Sequence, residues 1–487
     1  MKKNHIYLFA TFSLLLLISS SCKKEFLDVK PPTQVMEDFF TSEENATLAI
    51  IGCYDVMGWD GEHNTIPFFF GDIIGRDGWK GGDVGGDQDW MDNLINFTYT
   101  PDNYMLNIAW KNYYIGINRC NTAIENIGKM SNDMISDEAK AQLIAQAKFV
   151  RGYFYFELIK TWGKVPLVDH VLSPSEYQQP LASEEDIWNF IEGDFKAAAA
   201  VLPEKSAQDP TDIGRATKGA ANAFLAKAYI FQKKWAEAKQ LTDQIIHSGQ
   251  YSLLPNYEDV FKMENENNDE IIFSIQFKET GNGDYGDENE GSMLEVYMQT
   301  RNAPFAGIGG WGFNCPTQEL VDQYEDGDPR KAATIIHDGE TLWGGTSDET
   351  TFDTKFATNI DHYSNKKYVL PPSQQPADFS DASKNWILIR YAEVLLWNAE
   401  AAFHTGGDWQ TPLQQVRDRV GLGPTPYSGI DAIYHERRVE LAMEGHRFWD
   451  IVRQGRGEEV LGQYGFIEGI NNHFPISQDQ LDLSDIW

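Results

Sequence analysis

Residues 436–450, ERRVELAMEGHRFWD, place three glutamates, an aspartate, a histidine and three arginines within fifteen positions. Such a density would suit acid–base or metal chemistry, with carboxylates to move protons, an imidazole that titrates near neutrality and guanidiniums to hold anions. The spacing points elsewhere. Read as one helix, Tyr434, Leu441, Phe448 and Val452 form a packing stripe. Arg437 and Glu440, and likewise Glu444 and Arg447, then lie three apart and can pair along one side. His446 and Asp450 are four apart, with no third ligand or nucleophile on their face. Charges interleaved with aromatics are the pattern of a buried salt-bridge network. The segment is expected to hold the chain together.

Several other chemistries drop out. The sequence contains no G-x-x-x-x-G-K loop, no G-x-S-x-G elbow and no H-E-x-x-H pair. In GWKGGDVGGDQDW (78–90) the glycines follow no strand and open no helix, so they make no dinucleotide loop. Asp83, Asp87 and Asp89 in that loop could gather a calcium ion, and a solvated acidic loop is the alternative. No other cofactor or metal is indicated.

The same region suits a different task. Sugars present flat C–H faces ringed by hydroxyls, so a sugar binder needs exposed aromatic platforms flanked by hydrogen-bonding groups. Trp79 and Trp90 are candidate platforms, with Asp72, Arg76, Asp77 and Asn93 as polar partners. Tyr285, Trp311 and Trp343 add aromatics on later Gly-rich loops, and in GIGGWGF the flanking glycines leave the Trp311 ring uncovered. Each tryptophan taken singly could instead anchor its own loop to the core.

The elements that must position these residues are mainly helical. Apolar side chains at 110, 114, 117, 120, 124 and 127 mark one helix face. Residues 138–162 continue helical until Gly163 and Pro166. Residues 221–246 are the clearest unit: two helices about a polar turn at 232–234, with Leu225, Ala226 and Tyr229 on the first and Trp235, Ala238, Leu241 and Ile245 on the second. Their small-residue spacing resembles a tetratricopeptide repeat. A weaker helical pair is expected over 386–404 and 412–420, broken at Gly406 and Gly407. The predicted fold is mainly α, a superhelical scaffold of helix pairs with long loop excursions (58–104 and 255–385) and a few short strands. Loops that long are usually functional.

Composition sets the outer bounds. A net charge of −33 excludes nucleic-acid binding, which needs a cationic stripe. With 14 Trp, 21 Tyr and 28 Phe the chain has ample core. Residues 1–21 read as a secretory signal peptide: two lysines, an apolar run over 6–18, then small residues before Cys22. That is a lipobox pattern, with Ser19 in the place of the usual leucine, and Cys22 is expected to be acylated and to anchor the chain to a membrane. Residues 22–487 would form one domain, with the clearest helix pairs in 23–254 and a loop-rich part closed by helices in 255–487. Cys53, Cys120 and Cys315 lack metal-site spacing and are expected as buried free thiols.

Five segments occur in an order that resembles the SusD/RagB family of outer-membrane nutrient-binding lipoproteins: CKKEFLDVKPPTQ, RGYFYFELIKTWGKVPLV, ILIRYAEVLLWNAEA, ERRVELAMEGHRFWDIVRQG and HFPISQDQLDL. The last departs slightly, with Ser477 where a proline is common. The resemblance implies four tetratricopeptide-like helix pairs, a surface location on a Gram-negative cell, and partnership with a TonB-dependent SusC-like transporter over which the protein forms a lid. It implies a non-catalytic binder of oligosaccharides or polysaccharides, or of peptides in RagB-like relatives. It also assigns residues 436–450 to the family's structural signature. An all-α glycoside hydrolase would need two carboxylates at a characteristic separation, and no motif nominates them.

Overall fold

The computed structural model describes residues 39–59, 69–83, 86–281, 290–301, 309–355 and 360–486. Cys22 and Tyr285 lie outside the described residues.

The fold is mainly helical. Helices α1 (Glu43–Asp55), α2 (Asp89–Ile95), α3 (Tyr104–Lys129) and α4 (Asp137–Trp162) come first. The predicted stripe is the buried face of α3: Trp110, Ile117, Cys120 and Ile127 are in the core, and Tyr114 and Ile124 pack at its margin. Ser136 caps α4 by accepting from the Ala139 N–H (3.1 Å), and Gly163 (φ +70°) stops it. α4 is buried almost all round because α3 packs on one side and α5 (Glu184–Ala199) on the other. At the α3–α4 crossing a Cβ on Gly116 would stand 2.2 Å from the Phe154 ring, so only glycine admits the aromatic.

The repeat-like unit is present as α6 (Lys218–Phe231) and α7 (Trp235–His247), joined by a turn in which Lys233 takes φ +59°. Buried alanines line α6, and α7 continues the stack onto α8 (Tyr391–Thr405). α8 in turn receives α9 (Gln410–Arg419) and α10 (Ile430–Glu440). Each helix thus buries its apolar face on the next, as stacked helix pairs do.

Among the described residues, four antiparallel strand pairs decorate this scaffold. β1 (Gly78–Gly81) pairs with β3 (Phe313–Pro316), β2 (Ile271–Ile275) with β8 (Trp386–Arg390), β4 (Ile335–His337) with β7 (Tyr363–Asn365), and β5 (Thr341–Leu342) with β6 (Thr350–Thr351). Two expectations are corrected here. Residues 386–390 are a strand and helix α8 starts only at Tyr391, because a short apolar run buried on both faces has no period that separates strand from helix. Gly78 and Gly81 lie in a strand rather than an irregular loop. Cys53, Cys120 and Cys315 are buried free thiols.

Residues 436–450 are not one helix. α10 ends at Glu440, Met443 (φ +64°) and Gly445 (φ +82°) turn the chain, and α11 (Arg447–Arg453) starts again. The pairs expected along one helix side are therefore replaced by pairs across the core. Arg437 donates to Asp450 and Glu393, both at 2.7 Å. Glu440 accepts from Arg330 (3.0 Å), Arg390 (2.5 Å) and Arg419. Glu444 accepts from Arg390 (2.8 Å) and Lys367 (2.7 Å). All these side chains are buried, and a carboxylate taken out of water needs several donors, which neighbours on its own helix cannot supply.

Electrostatics follow from that crowding. Burial alone would push Glu444 up, but Arg390 and Lys367 outweigh it and hold its carboxyl at about 2. Glu440, opposed by burial but facing Arg419, Arg390 and Arg330, lies well below the usual carboxylate range. Burial lowers His446 to about 4, so the imidazole is neutral at physiological pH.

The turn also fixes the first loop excursion. A Cβ on Gly71 would sit 1.9 Å from the Gly445 carbonyl oxygen, so the π-helical turn Phe69–Ile73 meets the 441–446 turn backbone to backbone.

Candidate functional site

That close docking decides the fate of several candidate residues. Asp72 sits inside the π-helical turn, 1% exposed, and accepts from the Gly445 N–H (3.1 Å) and the Asn314 amide (3.0 Å). Burial raises its carboxyl to about 8. Asp77 is also buried and accepts from Arg438 Nε at 2.9 Å. Arg76, at φ +69°, donates to the Ile95 carbonyl (2.6 Å) and lies 3.9 Å over the Tyr464 ring. Asp72 and Asp77, expected as ligand contacts, tie the excursion to the core instead, because Gly71 and Gly75 bring the segment too close to the 441–448 backbone to leave them in solvent, while Arg76 is half-buried against Tyr464.

A compact constellation remains at the β1–β3 ribbon, whose register sets Trp79 opposite Cys315 and Gly81 opposite Phe313. Trp311, half-buried, enters just before β3. Its ring meets Tyr297 edge-on at 4.9 Å (84°) and Phe379 at 5.8 Å (44°). Tyr297 continues to Phe69 at 5.6 Å, and Phe69 to Trp90 at 5.4 Å. Trp90 is buried and donates to Gln88, so its role as a platform is corrected: it is an inner member of an aromatic run that reaches Trp311 on one side and the exposed Tyr104 (5.9 Å) on the other. Edge-to-face packing of this kind fixes ring orientation.

Charged groups frame the run. Arg301 donates to the Trp311 carbonyl (3.0 Å) and to Asp83 (3.3 Å), and lies 3.7 Å from Asp87. Asp83 N–H in turn donates to Asp87 (2.7 Å). Lys80 donates to the Asp87 carbonyl (2.9 Å) and pairs with Asp92. Asp83 and Asp87, candidate calcium ligands with Asp89, thus meet the Arg301 guanidinium, and Asp89 is exposed beside them. Elsewhere among the described residues, Glu325, His435 and Glu436 come within metal-ligand reach of one another, but Arg417 already bonds both carboxylates, at 2.8 and 2.6 Å.

The other candidates are dispersed. Trp79 is half-buried and its indole N–H donates to Asp361 (2.5 Å), which also accepts the Gln318 N–H (2.8 Å). Asn93 is exposed at the end of α2 and accepts from Thr98 Oγ1 at 3.4 Å. Trp343 stands on the β5–β6 hairpin against Phe352 (5.9 Å), in a different part of the second excursion. Arg301, Tyr297 and Phe379 were not anticipated. A usable signal existed, since Tyr297 and Arg301 stand just before the Gly-rich loop that carries Trp311.

The sequence profile of the SusD family matches residues 269–482, and a second, described as starch-binding associating with outer membrane, matches residues 25–230. The chain belongs to the SusD/RagB family. The earlier profile covers α1–α5 and most of α6, the later one β2 through α11. Among SusD-like relatives, protein P25 of Formosa agariphila is 29% identical over 503 residues, 92% of this chain and 89% of the relative. A solved laminarin binding SusD-like protein superposes with a TM-score of 0.80 at 29% identity, covering 92% of this chain and 99% of that one. Surface glycan-binding protein A from Bacteroides thetaiotaomicron, solved with laminarihexaose, gives 0.79 at 25% identity, covering 91% and 98%.

Proposed function

We propose that the protein is a non-catalytic, cell-surface glycan-binding lipoprotein, acylated at Cys22, that captures oligosaccharides or polysaccharides and hands them to a SusC-like TonB-dependent transporter in the outer membrane. The observation that carries it is Trp311, held at the protein surface by Tyr297 and Phe379 beside the hydrogen-bonding groups of Arg301 and Asp83. An oriented indole with polar groups at its rim meets the two demands of a sugar, a flat apolar face and a ring of hydroxyls. Surface delivery is supported by the outer-membrane association in the description of the profile matching residues 25–230. Relatives that bind laminarin make a β-glucan the first ligand to try.

The test is calorimetric titration of the purified protein against laminarin and a panel of other polysaccharides, with a reducing-end assay on the same samples. Saturable binding without new reducing ends supports the reading. Binding of mixed peptides in place of sugars would move the ligand to the RagB type, and new reducing ends would make the protein an enzyme.

A further inference from the structure

We infer that the pocket beside Trp343 is a second saccharide-binding site, distinct from the Trp311 face; the inference rests on the glycan-binding reading above. A cavity of about 540 Å³ opens between the β5–β6 hairpin and the segments 258–264 and 366–374. Its size falls within the range of small-ligand sites, roughly 300–1,000 Å³. Its lining includes none of Trp79, Trp311 and Arg301.

Trp343 forms one wall, and its backbone is left-handed at φ +53°. A large aromatic seldom takes that conformation, and residues held in it cluster at ligand-binding positions. Local bonds enforce it: Thr346 donates to the Trp343 carbonyl through its N–H (3.1 Å) and its hydroxyl (2.7 Å). The ring is only half-buried, resting on a small apolar cluster of Ile336, Leu342, Phe352 and Val369. The turn thus presents an indole at the pocket wall on a fixed floor.

The polar lining selects the ligand class. It carries four acidic side chains and four lysines, so the pocket has no net sign to favour an anion or a cation. The lysines are already engaged: Lys367 donates to Glu444 at 2.7 Å, and Lys366 lies 3.6 Å from Glu258 and 3.8 Å from Glu340. An aromatic wall, paired charges and the rim amide of Gln374 suit a neutral polyol that stacks one face and exchanges hydrogen bonds at its edge.

The experiment is a calorimetric titration of the purified full-length protein with laminarihexaose, for wild type, Trp343→Ala, Trp343→Phe and Trp311→Ala. The expected result is two binding events in the wild type. Trp343→Ala should remove one, or weaken it by about tenfold or more, while Trp343→Phe largely keeps it. Trp311→Ala should remove the other. Should Trp343→Ala lower the melting temperature, Gln374→Leu, at the rim, is expected to weaken the same event without that complication. A single event that Trp311→Ala abolishes and Trp343→Ala leaves intact would overturn the second site while leaving glycan binding in place. Absence of binding to laminarihexaose and to every polysaccharide of the panel would overturn both.

Discussion

The α10–α11 turn and the β1–β3 ribbon use much the same alphabet, Arg, carboxylates and Trp, to opposite ends. At the turn, Arg390 from the end of β8 reaches Glu270, Glu440 and Glu444 with every group out of solvent. At the ribbon, Arg301 holds Asp83, whose side chain is 59% exposed, next to a half-buried Trp311. The chemistry of the side chains is shared, and depth separates their roles. A buried pair is strongly destabilised when one partner is removed, whereas an exposed pair contributes little to stability and remains open to a ligand.

Several substitutions should sharpen that contrast. The largest effect is expected for Arg390→Ala, which removes a donor shared by three buried carboxylates and should cost about 3–5 kcal/mol in urea denaturation, or abolish soluble expression. Lowering the pH should erode the same region. Glu444 has its folded value depressed to about 2, so its contribution is present above its ordinary value near 4.5 and is lost as pH falls toward 2. His446, lowered to about 4, acts in the same direction from about 6.5 downward, because the unfolded imidazole takes a proton that the folded one refuses. Above about pH 4.5 the opposite response of Asp72, raised to about 8, offsets that of His446, so denaturation midpoints should fall chiefly below about pH 4.5. A flat profile below about pH 4.5 would break the contrast.

Smaller effects are expected at the ribbon. Trp311→Ala should weaken glycan binding about tenfold or more while shifting stability by about 1 kcal/mol, read by calorimetry and thermal melting on one preparation. Arg301→Lys should reduce affinity severalfold, because an ammonium lacks the planar fork that spans the Trp311 carbonyl and Asp83 together. The smallest effect is expected for Asp72→Asn. With its carboxyl raised to about 8, Asp72 is largely neutral at pH 7, and an amide should replace it within about 1 kcal/mol in the same denaturation assay. The sign is opposite to that of Glu444: the stability tied to Asp72 is present at low pH and lost as pH rises through about 8.

Helices α3, α4, α6 and α7 were legible because their apolar spacing and end signals are local, as with Ser136 and Gly163 on α4. The structural role of residues 436–450 was legible from composition, whereas the pairs themselves were not. Arg330, Lys367, Arg390 and Glu393 come from remote stretches, and no local spacing reports them. At the site, the Gly-flanked Trp311 was legible as a surface aromatic. Asp72, Asp77 and Trp90 looked equally available, and only the backbone approach of Gly71 to Gly445, 374 positions apart, buries that segment. Arg301 and Tyr297 gain meaning only once the β1–β3 ribbon sets them beside Asp83 and Phe69.

The central claim is that the surface aromatic site binds and the buried ionic turn only supports. It is tested most directly by titrating laminarihexaose into Trp311→Ala and wild type at one pH, with melting curves on the same samples. The account predicts that the binding event carried by the Trp311 face disappears while the melting temperature stays within a few degrees. Wild-type binding fully retained in Trp311→Ala would contradict it.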